Sequence, residues 1–599
     1  MVVMGVGEHQ VMKIKRRAFS SLPNLSCPLV LQRIFAARGV STDAELDKGL
    51  QALLPFSGLM DMERAVSRLE RAIRQNEKIL IIGDFDADGA TSTALAISAL
   101  RAMGALQVDF LVPNRFEFGY GLTPGIVEVG MQRGPTLIVT VDNGIASVEG
   151  VEHANAAHID VLVTDHHLPP DILPNACAIV NPNQQGDTFQ SKAIAGVGVI
   201  FYVMLALRRQ LINSGWFQSQ NIKEPNMAQF LDLVALGTVA DVVPLDQNNR
   251  VLIHQGMLRI TRGLCRPGIK ALIEIAGKDL SRLRESDLGF SVAPRLNAAG
   301  RLDDMSLGIL CLLCDDLETA RGYATHLDEL NFERRRIENE MKEQAMKSLE
   351  KLTLNEESLP IALCLLDASW HQGVIGILAG RLKERYHRPV LAFAEVSPEE
   401  IKGSARSVLG LNIRDVLAAI DKDHPGLMTK FGGHAMAAGI TMPKASFPAF
   451  KKAWVDEVSK HLDSSLCSDD IITDGSLKPE ELSLELAQTL QNAGPWGQQF
   501  PEPVFDDQFI ILDQRIVGQN HLKLTLQHHQ GTTPIDAIAF NIDLKSWPNH
   551  RARSLHAAYK LDINYYQGRT KPQLIVVAMQ AMAVDIQGCP IKNFDSILI

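Results

Sequence analysis

Short apolar runs that stop abruptly on a carboxylate or an imidazole recur along the first half of the chain. Ile79 to Ile82 leads into Asp84-Phe85-Asp86-Ala87-Asp88-Gly89, Leu137 to Val141 into Asp142-Asn143-Gly144, Val161 to Thr164 into Asp165-His166-His167, and the longer Leu231 to Val239 stretch into Asp241. Runs rich in β-branched residues predict buried strands, so each polar tip is expected at a strand end. Helical stretches such as Ala90 to Met103 fall between these runs, and the alternation over about residues 50–250 predicts βαβ units around a largely parallel sheet. From Leu317 to about Leu352 there is no proline and one glycine. An apolar stripe through Leu317, Ala320, Ala324, Leu327, Ile337, Met341 and Leu349 predicts one helix of roughly 50 Å, long enough to bridge two lobes. Arg334, Arg335 and Arg336 on it read as a solvated face. A second α/β lobe is expected from about 358 to 462, and alternation in His521 to Leu526 and Ile535 to Phe540 predicts an antiparallel sheet or small barrel over about 470–599. The fold class expected is α/β: two α/β lobes joined by a long helix, followed by a C-terminal antiparallel sheet or small barrel.

The tips carry the chemistry. In an extended segment alternate side chains share a face, so Asp84, Asp86 and Asp88 are expected to point one way and Phe85 and Ala87 the other. The carboxyl ends of parallel strands form the crevice of an open α/β sheet, which gathers groups distant in sequence. Two carboxylates about 4 Å apart repel by roughly 4 kcal/mol at an effective dielectric near 20, so such a pocket must take up protons or metal. Oxygen ligands with one imidazole favour Mn²⁺ or Mg²⁺ over a structural zinc, which would want thiolates. Two ions about 3.5 to 4 Å apart would share a bridging carboxylate and clamp the attacking and leaving oxygens of a phosphodiester. Taken singly, Asp-Asn-Gly reads as a turn and the paired histidines as core or solvated residues; the serial arrangement is what points to a two-metal phosphoesterase site.

With 599 residues, 46% of them hydrophobic, the chain can bury several cores. Its longest apolar run, Ala193 to Leu207, is bounded by Lys192 and Arg208 and falls short of the roughly 20 residues a membrane span needs, so a buried helix is expected. No apolar signal segment opens the chain, and Lys13, Lys15, Arg16 and Arg17 read as a solvated tail. Eight cysteines without dense spacing fit a reducing cytoplasm. Cys311 and Cys314, the only C-x-x-C, lie in an apolar helical context and read as buried structural residues. A net charge of −10 argues against indiscriminate coating with nucleic acid but leaves room for a local basic groove, since part of the acidity belongs to the expected metal pocket.

Further motifs suggest an anion site. The Gly300-Arg301 ending of Pro294-Arg295-Leu296-Asn297-Ala298-Ala299-Gly300-Arg301 reads as a tight turn presenting charge. In the second lobe, Trp370-His371-Gln372-Gly373-Val374-Ile375-Gly376, Ser404-Ala405-Arg406-Ser407 and Phe431-Gly432-Gly433-His434 combine glycines, which let backbone N–H groups approach an anion, with Arg406 and His434, which add charge-assisted contacts to a phosphate.

Together these residues resemble the DHH phosphoesterase superfamily and, within it, the RecJ single-strand exonucleases. The resemblance covers most of the chain and adds Pro113-Asn114-Arg115-Phe116-Glu117-Phe118-Gly119-Tyr120-Gly121-Leu122 to the motifs above. It implies a metal-dependent 5′ to 3′ exonuclease that degrades single-stranded DNA to 5′-mononucleotides in recombination, mismatch repair and base-excision repair, in the cytoplasm. It implies that Asp86, Asp88, Asp142, His166 and Asp241 hold two Mn²⁺ or Mg²⁺ ions, that Asp142 bridges them, that Asp84 is an additional carboxylate, and that His167 touches the scissile phosphate or leaving oxygen. Arg115, Arg301, Ser404, Arg406, Gly432, Gly433 and His434 are implied to bind DNA phosphates across a cleft too narrow for duplex. Single-strand-binding protein and a RecQ-type helicase are the implied partners, with no membrane. The domains expected are an N-terminal segment at 1–50, a DHH catalytic domain at 51–250, a connecting region at 251–316, the linking helix at 317–354, a DHH-associated substrate-binding domain at 355–465, an oligonucleotide-binding-fold-like domain at 466–585 and a tail at 586–599. One departure stands out: where the family usually carries Gly-x-Gly-Asn-Pro-Glu-Pro, this chain reads Gly494-Pro495-Trp496-Gly497-Gln498-Gln499-Phe500-Pro501-Glu502-Pro503.

The same metal chemistry would serve a phosphodiesterase for short oligonucleotides or cyclic dinucleotides, for which a preference for di- or trinucleotides over long strands would speak. A catalytically silent strand-binding protein would leave DNA length unchanged in Mn²⁺. An aspartyl-phosphate phosphatase also shows Asp-x-Asp after a strand, but the Asp-His-His tip has no part in that chemistry.

Overall fold

A computed structural model describes residues 4–5, 13–114, 118, 120–352, 360–408, 410–433, 435–462, 471–544, 546–566 and 568–582. The expected tail at 586–599, Arg115 and His434 lie outside the described residues. The chain forms two compact units: Pro55–Asp241 with Gly256–Ser468, and Met1–Leu54 with Val242–Gln255 and Asp469–Ile599.

The first unit is built on a five-stranded sheet, all parallel, of β1 (Ile79–Gly83), β2 (Val108–Leu111), β3 (Leu137–Val141), β4 (Asp160–Thr164) and β5 (Ala178–Val180), in the spatial order β2-β1-β3-β4-β5. Every residue of β1 and β3 is buried, as helices on both faces of a parallel sheet require. On one face Leu80, Ile82, Ile138, Val161 and Val163 pack with Ile126, Val127 and Val151. The register then positions the site. Gly83 pairs with Val141 and Val141 with Thr164, so Asp84, Asp142 and Asp165 leave three adjacent strands at one level. The helices that matter below are α1 (Ala87–Ala102), α2 (Gly196–Asn213), α3 (Leu231–Ala240) and α4 (Ala293–Leu302). Helix α2 contains most of the long apolar run and is buried over most of its length, as expected. Two expectations are corrected. The apolar stretch before Asp241 is helix α3 and not a strand: it is buried all round, which removes the periodicity that separates the two. Gly300-Arg301 is likewise no turn but lies within helix α4, which continues directly from a π-helical stretch at Leu288–Val292, the wider turn falling just ahead of Pro294.

Helix α5 spans Leu317–Leu352 as one piece. Its first half buries Ala320, Ala324 and Leu327; further along, Met341 and Ala345 join a core with Leu363, Trp370 and Leu378 of the second lobe. Arg334 departs from the solvated-face expectation: it is 9% exposed and bonds Glu338 at 2.7 Å and Asn331 at 3.0 Å, whereas Arg336 faces solvent beside Glu333 and Glu340. The second lobe is a mixed sheet of β6 (Leu363–Leu366), β7 (Val390–Glu395), β8 (Glu400–Arg406), β9 (Lys430–Gly433) and β10 (Ala437–Pro443), ordered β9-β10-β8-β7-β6, with helix α6 (Ile375–Tyr386) against β7 and β8. Cys311 is fully buried and its thiol is pushed up to about 12 by that burial, which suits a structural residue.

In the second unit β11 (Phe505–Val517), β12 (His521–His528), β13 (Pro534–Ala539), β14 (Ser554–Tyr566) and β15 (Arg569–Met582) close into a barrel, β11 pairing with both β12 and β14 and β15 with both β13 and β14. Phe505, Phe509, Leu524 and Tyr559 fill it. The basic N-terminal cluster is no free tail. Ile14–Arg16 pairs in parallel with Ile471–Thr473, Arg16 bonds Asp506 at 3.0 Å, and Arg38, its side chain fully buried, makes two bonds to Asp474. The divergent loop packs into the same structure: Trp496 stacks on Phe35 and Phe500, and Arg38 lies over the Trp496 ring.

Candidate metal centre

Asp84 is buried and its Oδ1 accepts from the Phe85 N–H at 2.8 Å. Asp86 is the N-cap of α1, with Oδ1 accepting from Gly89 N at 3.0 Å. The chain is therefore extended only as far as Asp86. Asp88 lies in the first helical turn, which corrects the expectation that three aspartates alternate along one extended tip. Two contacts shape this loop from helix α4. Asn297 Oδ1 accepts from Ala87 N at 2.8 Å, and a Cβ on Gly300 would fall 1.8 Å from the Phe85 carbonyl oxygen, so only glycine lets the helix approach. Asp88 is aimed by the opposite side: its two oxygens accept from Gly196 N at 2.7 Å and Val197 N at 3.0 Å, where the amide dipoles at the start of α2 favour negative charge.

Asp142 follows β3 in a left-handed conformation, φ 62°. A non-glycine residue is held there only by its surroundings; the Asn143 amide supplies them, donating to the carbonyls of Ile82 at 3.0 Å and Val141 at 2.9 Å. Gly196 faces the carboxylate so closely that a Cβ would stand 2.5 Å from Asp142 Oδ1.

Asp165 turns the third tip. Its Oδ1 accepts from His166 N at 2.7 Å, His167 N at 3.1 Å and His167 Nδ1 at 2.7 Å, and its Oδ2 from Ile145 N at 2.9 Å. Burial works to raise its pKa, but the His167 bond and both imidazoles hold it below the usual range. Burial also opposes charge on His167, yet the Asp165 bond, with Asp84 and Asp241, lifts that imidazole to about 9. His166 is the reverse: burial outweighs Asp241 and keeps its pKa low, so the ring is neutral and open to coordination. Its Nε2 lies 3.1 Å from Asp142 Oδ1 and 3.5 Å from Asp241 Oδ2. Asp241 reaches this point from the C-cap of α3.

The structure thus brings together all seven residues expected at the centre. Ligand atoms of Asp84, Asp86 and Asp142, of Asp142, His166 and His167, and of Asp88, His166 and Asp241 lie within 4.8 Å of one another in each group. Asp142 Oδ1 and His166 Nε2 are buried and face each other at 3.1 Å without forming an aligned hydrogen bond. Burial and the neighbouring carboxylates push Asp88 and Asp142 well above the usual range, and Asp241 in the same direction. Orphaned ligand atoms and carboxylates that resist charge are what a divalent cation would relieve, so the residues fit the implied metal.

Two contributors stood in motifs quoted above but were given no role of their own. Asp165 heads the Asp-His-His tip, and its part is to hold the two histidines. The Tyr120 hydroxyl lies 3.3 Å from the Asp142 carbonyl oxygen and 3.3 Å from the His167 ring nitrogens, its ring edge-on to Phe85. In the second lobe Arg406 Nη1 donates to Ser404 Oγ at 3.0 Å and to the Ala405 carbonyl at 2.8 Å. Burial lowers its pKa, and among the described residues no carboxylate pairs with it. Gly376 brings the start of α6 against this pair, since a Cβ there would lie 2.9 Å from Arg406 Nη2 and 3.0 Å from Ser404 Oγ. Arg301 Nη1 donates to the Gly373 carbonyl at 3.1 Å, linking α4 to the loop before α6. Gly432 and Gly433 form the end of β9, with Gly433 at φ 144°.

Family models match in the same order as the lobes: the DHH family N-terminal domain over residues 78–238, the DHHA1 domain over 358–460 and the RecJ OB domain over 473–578. The chain is 51% identical over 569 residues to the single-stranded-DNA-specific exonuclease RecJ of Escherichia coli K12, covering 95% of this chain and 99% of that one. The chain belongs to the RecJ family. RecJ of Haemophilus influenzae is 48% identical over 94% of this chain and 98% of its own. The crystal structure of RecJ in complex with Mn²⁺ from Thermus thermophilus superposes with a TM-score of 0.76 at 28% identity, covering 93% of this chain and 76% of that one. The two α/β lobes and the barrel expected from the RecJ resemblance are thus the observed fold.

Proposed function

We propose that this chain is a divalent-metal-dependent exonuclease that degrades single-stranded DNA from the 5′ end to 5′-mononucleotides. The observation that carries the reading is the pair of buried ligand atoms Asp142 Oδ1 and His166 Nε2, which face each other at 3.1 Å without an aligned hydrogen bond and have four further aspartates around them. Asp86, Asp88, Asp142, His166 and Asp241 would hold two ions; Asp142 and His166 each belong to two of the ligand groups, and of these the carboxylate, with two oxygens to offer, would be the shared ligand. When bound, a pair of Mn²⁺ or Mg²⁺ ions supplies Lewis acidity to the phosphoryl group and eases proton loss from the attacking water.

The chain's own groups do the rest. Asp165 fixes the His167 imidazole through Nδ1 and places it to meet the scissile phosphate or the leaving oxygen. Attack at phosphorus breaks the bond to the 3′-oxygen of the first nucleotide, so a 5′-mononucleotide leaves and the shortened strand again begins with a phosphate. Arg406, a half-buried cation without a carboxylate among the described residues, is suited to that terminal phosphate, with Ser404 beside it. Arg301, Arg115, Gly432, Gly433 and His434 are assigned to the DNA backbone by motif position. The direction of degradation, a role in recombination and repair, cooperation with single-strand-binding protein and a RecQ-type helicase, and a cytoplasmic location follow from family membership. Among the described residues no helix is long and apolar enough to cross a membrane.

The test is to incubate the protein with single- and double-stranded DNA labelled at either end, in Mn²⁺, Mg²⁺ or chelator. Release of labelled mononucleotide first from the 5′ end of single strands, only with metal, is expected. Internal cuts, or turnover in chelator, would overturn the reading.

A further inference from the structure

We propose that Asn181 and Asn183 are positioning residues for the two histidines of the metal centre, an inference that rests on the reading of that centre given above. Strands β4 and β5 pair up to Thr164 and Val180, so the segments that follow run side by side. The Asp165 N–H still bonds the Val180 carbonyl at 3.1 Å. Beyond it side chains continue the ladder: Asn183 Nδ2 donates to the His166 carbonyl at 2.6 Å and Asn181 Nδ2 to the His167 carbonyl at 2.9 Å. Asn181 Oδ1 accepts from the Asn183 N–H at 2.8 Å, joining the two into one unit. Asn181 is fully buried, and Gln184 Nε2 braces its turn through the carbonyls of Ile179 at 2.8 Å and Asn181 at 3.3 Å.

The N–H groups of His166 and His167 are taken by Asp165, and their carbonyls by this asparagine pair. Every peptide group flanking the two imidazoles is thereby fixed from one side or the other. That matters most for His166: its Nε2 faces Asp142 Oδ1 at 3.1 Å and Asp241 Oδ2 at 3.5 Å, which are themselves groups of the centre, so with those carboxylates engaged by metal the aim of the ring depends on the backbone. Groups that hold a metal ligand without touching the ion commonly set its affinity by 10- to 100-fold.

Asn183 is only partly buried, so its replacement leaves the core intact, and Asn183→Leu keeps the branching and the number of heavy atoms while removing both amide donors. Asn155→Ala is the control, since Asn155 Nδ2 makes the same kind of bond, to the Asn175 carbonyl at 2.9 Å, elsewhere in the lobe. With the full chain, four quantities are compared: Mn²⁺ affinity by calorimetry without DNA, single-strand affinity in chelator, melting temperature, and the His166 and His167 ring resonances of the metal-free protein. Asn183→Leu is expected to weaken Mn²⁺ binding about tenfold or more and to move the His166 resonances, with DNA affinity changed less than about twofold and melting close to that of Asn155→Ala. Unchanged Mn²⁺ affinity and unmoved resonances would overturn the inference, as would an equal loss of Mn²⁺ affinity in Asn155→Ala. If the wild-type chain itself binds no Mn²⁺, the reading of the centre falls and the inference with it; if the wild type binds and Asn183→Leu binds equally, the inference alone is lost.

Discussion

Asp142 concentrates the tension of the site. It is buried, left-handed and surrounded by other carboxylates. Asp142→Asn removes the charge, keeps the bulk and suits the left-handed conformation better. In chelator this variant is expected to melt at or above the wild-type temperature, while turnover in Mn²⁺ falls by about a hundredfold or more, since a direct ligand is lost where an outer partner alone costs up to that. A lower melting temperature in chelator, or near-normal turnover, would contradict this account. Gly196→Ala is the steric counterpart: its Cβ would push on Asp142 Oδ1, so metal affinity should fall although no ligand has been replaced. Titration with Mn²⁺ measures it. At this scale the sequence was most informative where residue type alone decides chemistry. Asp84, Asp142 and His166 announce themselves at the ends of β-branched runs, whereas Tyr120 acts through groups of two other loops and Asp165 through the turn it closes on its own two histidines, neither of which residue type alone discloses.

Among elements, the parallel strands were legible because burial on both faces leaves unbroken apolar runs, and α5 because its stripe keeps helical spacing over its length. Helix α3 was not, since a helix apolar on every side shows no period and its ten residues suit either form. The arginine run on α5 shows a related limit. Three adjacent charges look equivalent along a sequence, but successive helical residues face different directions, and Arg334 turns inward to Glu338 while Arg335 is exposed. Arg334→Ala leaves the Glu338 carboxylate less compensated, although Arg381 also reaches it at 3.0 Å. The expected cost is about 2 kcal/mol, below the 3 to 5 seen when a buried pair is broken outright, against about zero for Arg335→Ala. Chemical denaturation of both variants checks it; equal effects would return Arg334 to the surface.

On the scale of the molecule, the unit containing the barrel is discontinuous, a property no local pattern discloses. The basic N-terminal cluster looked like a solvated tail because its acidic partners, Asp474 and Asp506, lie far along the chain. Burial opposes ionisation of Asp506, yet bonds from His556, Arg16 and Thr473 hold it at about 2. A carboxylate with a folded pKa below its unfolded value stabilises the protein above the unfolded pKa and stops doing so as pH falls toward the folded one. Asp506→Asn is therefore expected to cost about 2 kcal/mol near pH 6, with the gap to wild type narrowing as the pH is lowered from about 5 toward 3. Urea midpoints across that range measure it, and a gap independent of pH would argue against the Asp506 contribution.

The distance between those partners also sets a timetable for synthesis. Arg38, Arg33 and Arg16 meet their acceptors 436, 443 and 490 residues downstream, so these three arginines are synthesised long before the groups they bind. The lobe bearing the aspartates and histidines is translated in the interval and, as domains generally do, can fold as it emerges. In a nascent chain, competence to bind Mn²⁺ should therefore arise well before the barrel is complete.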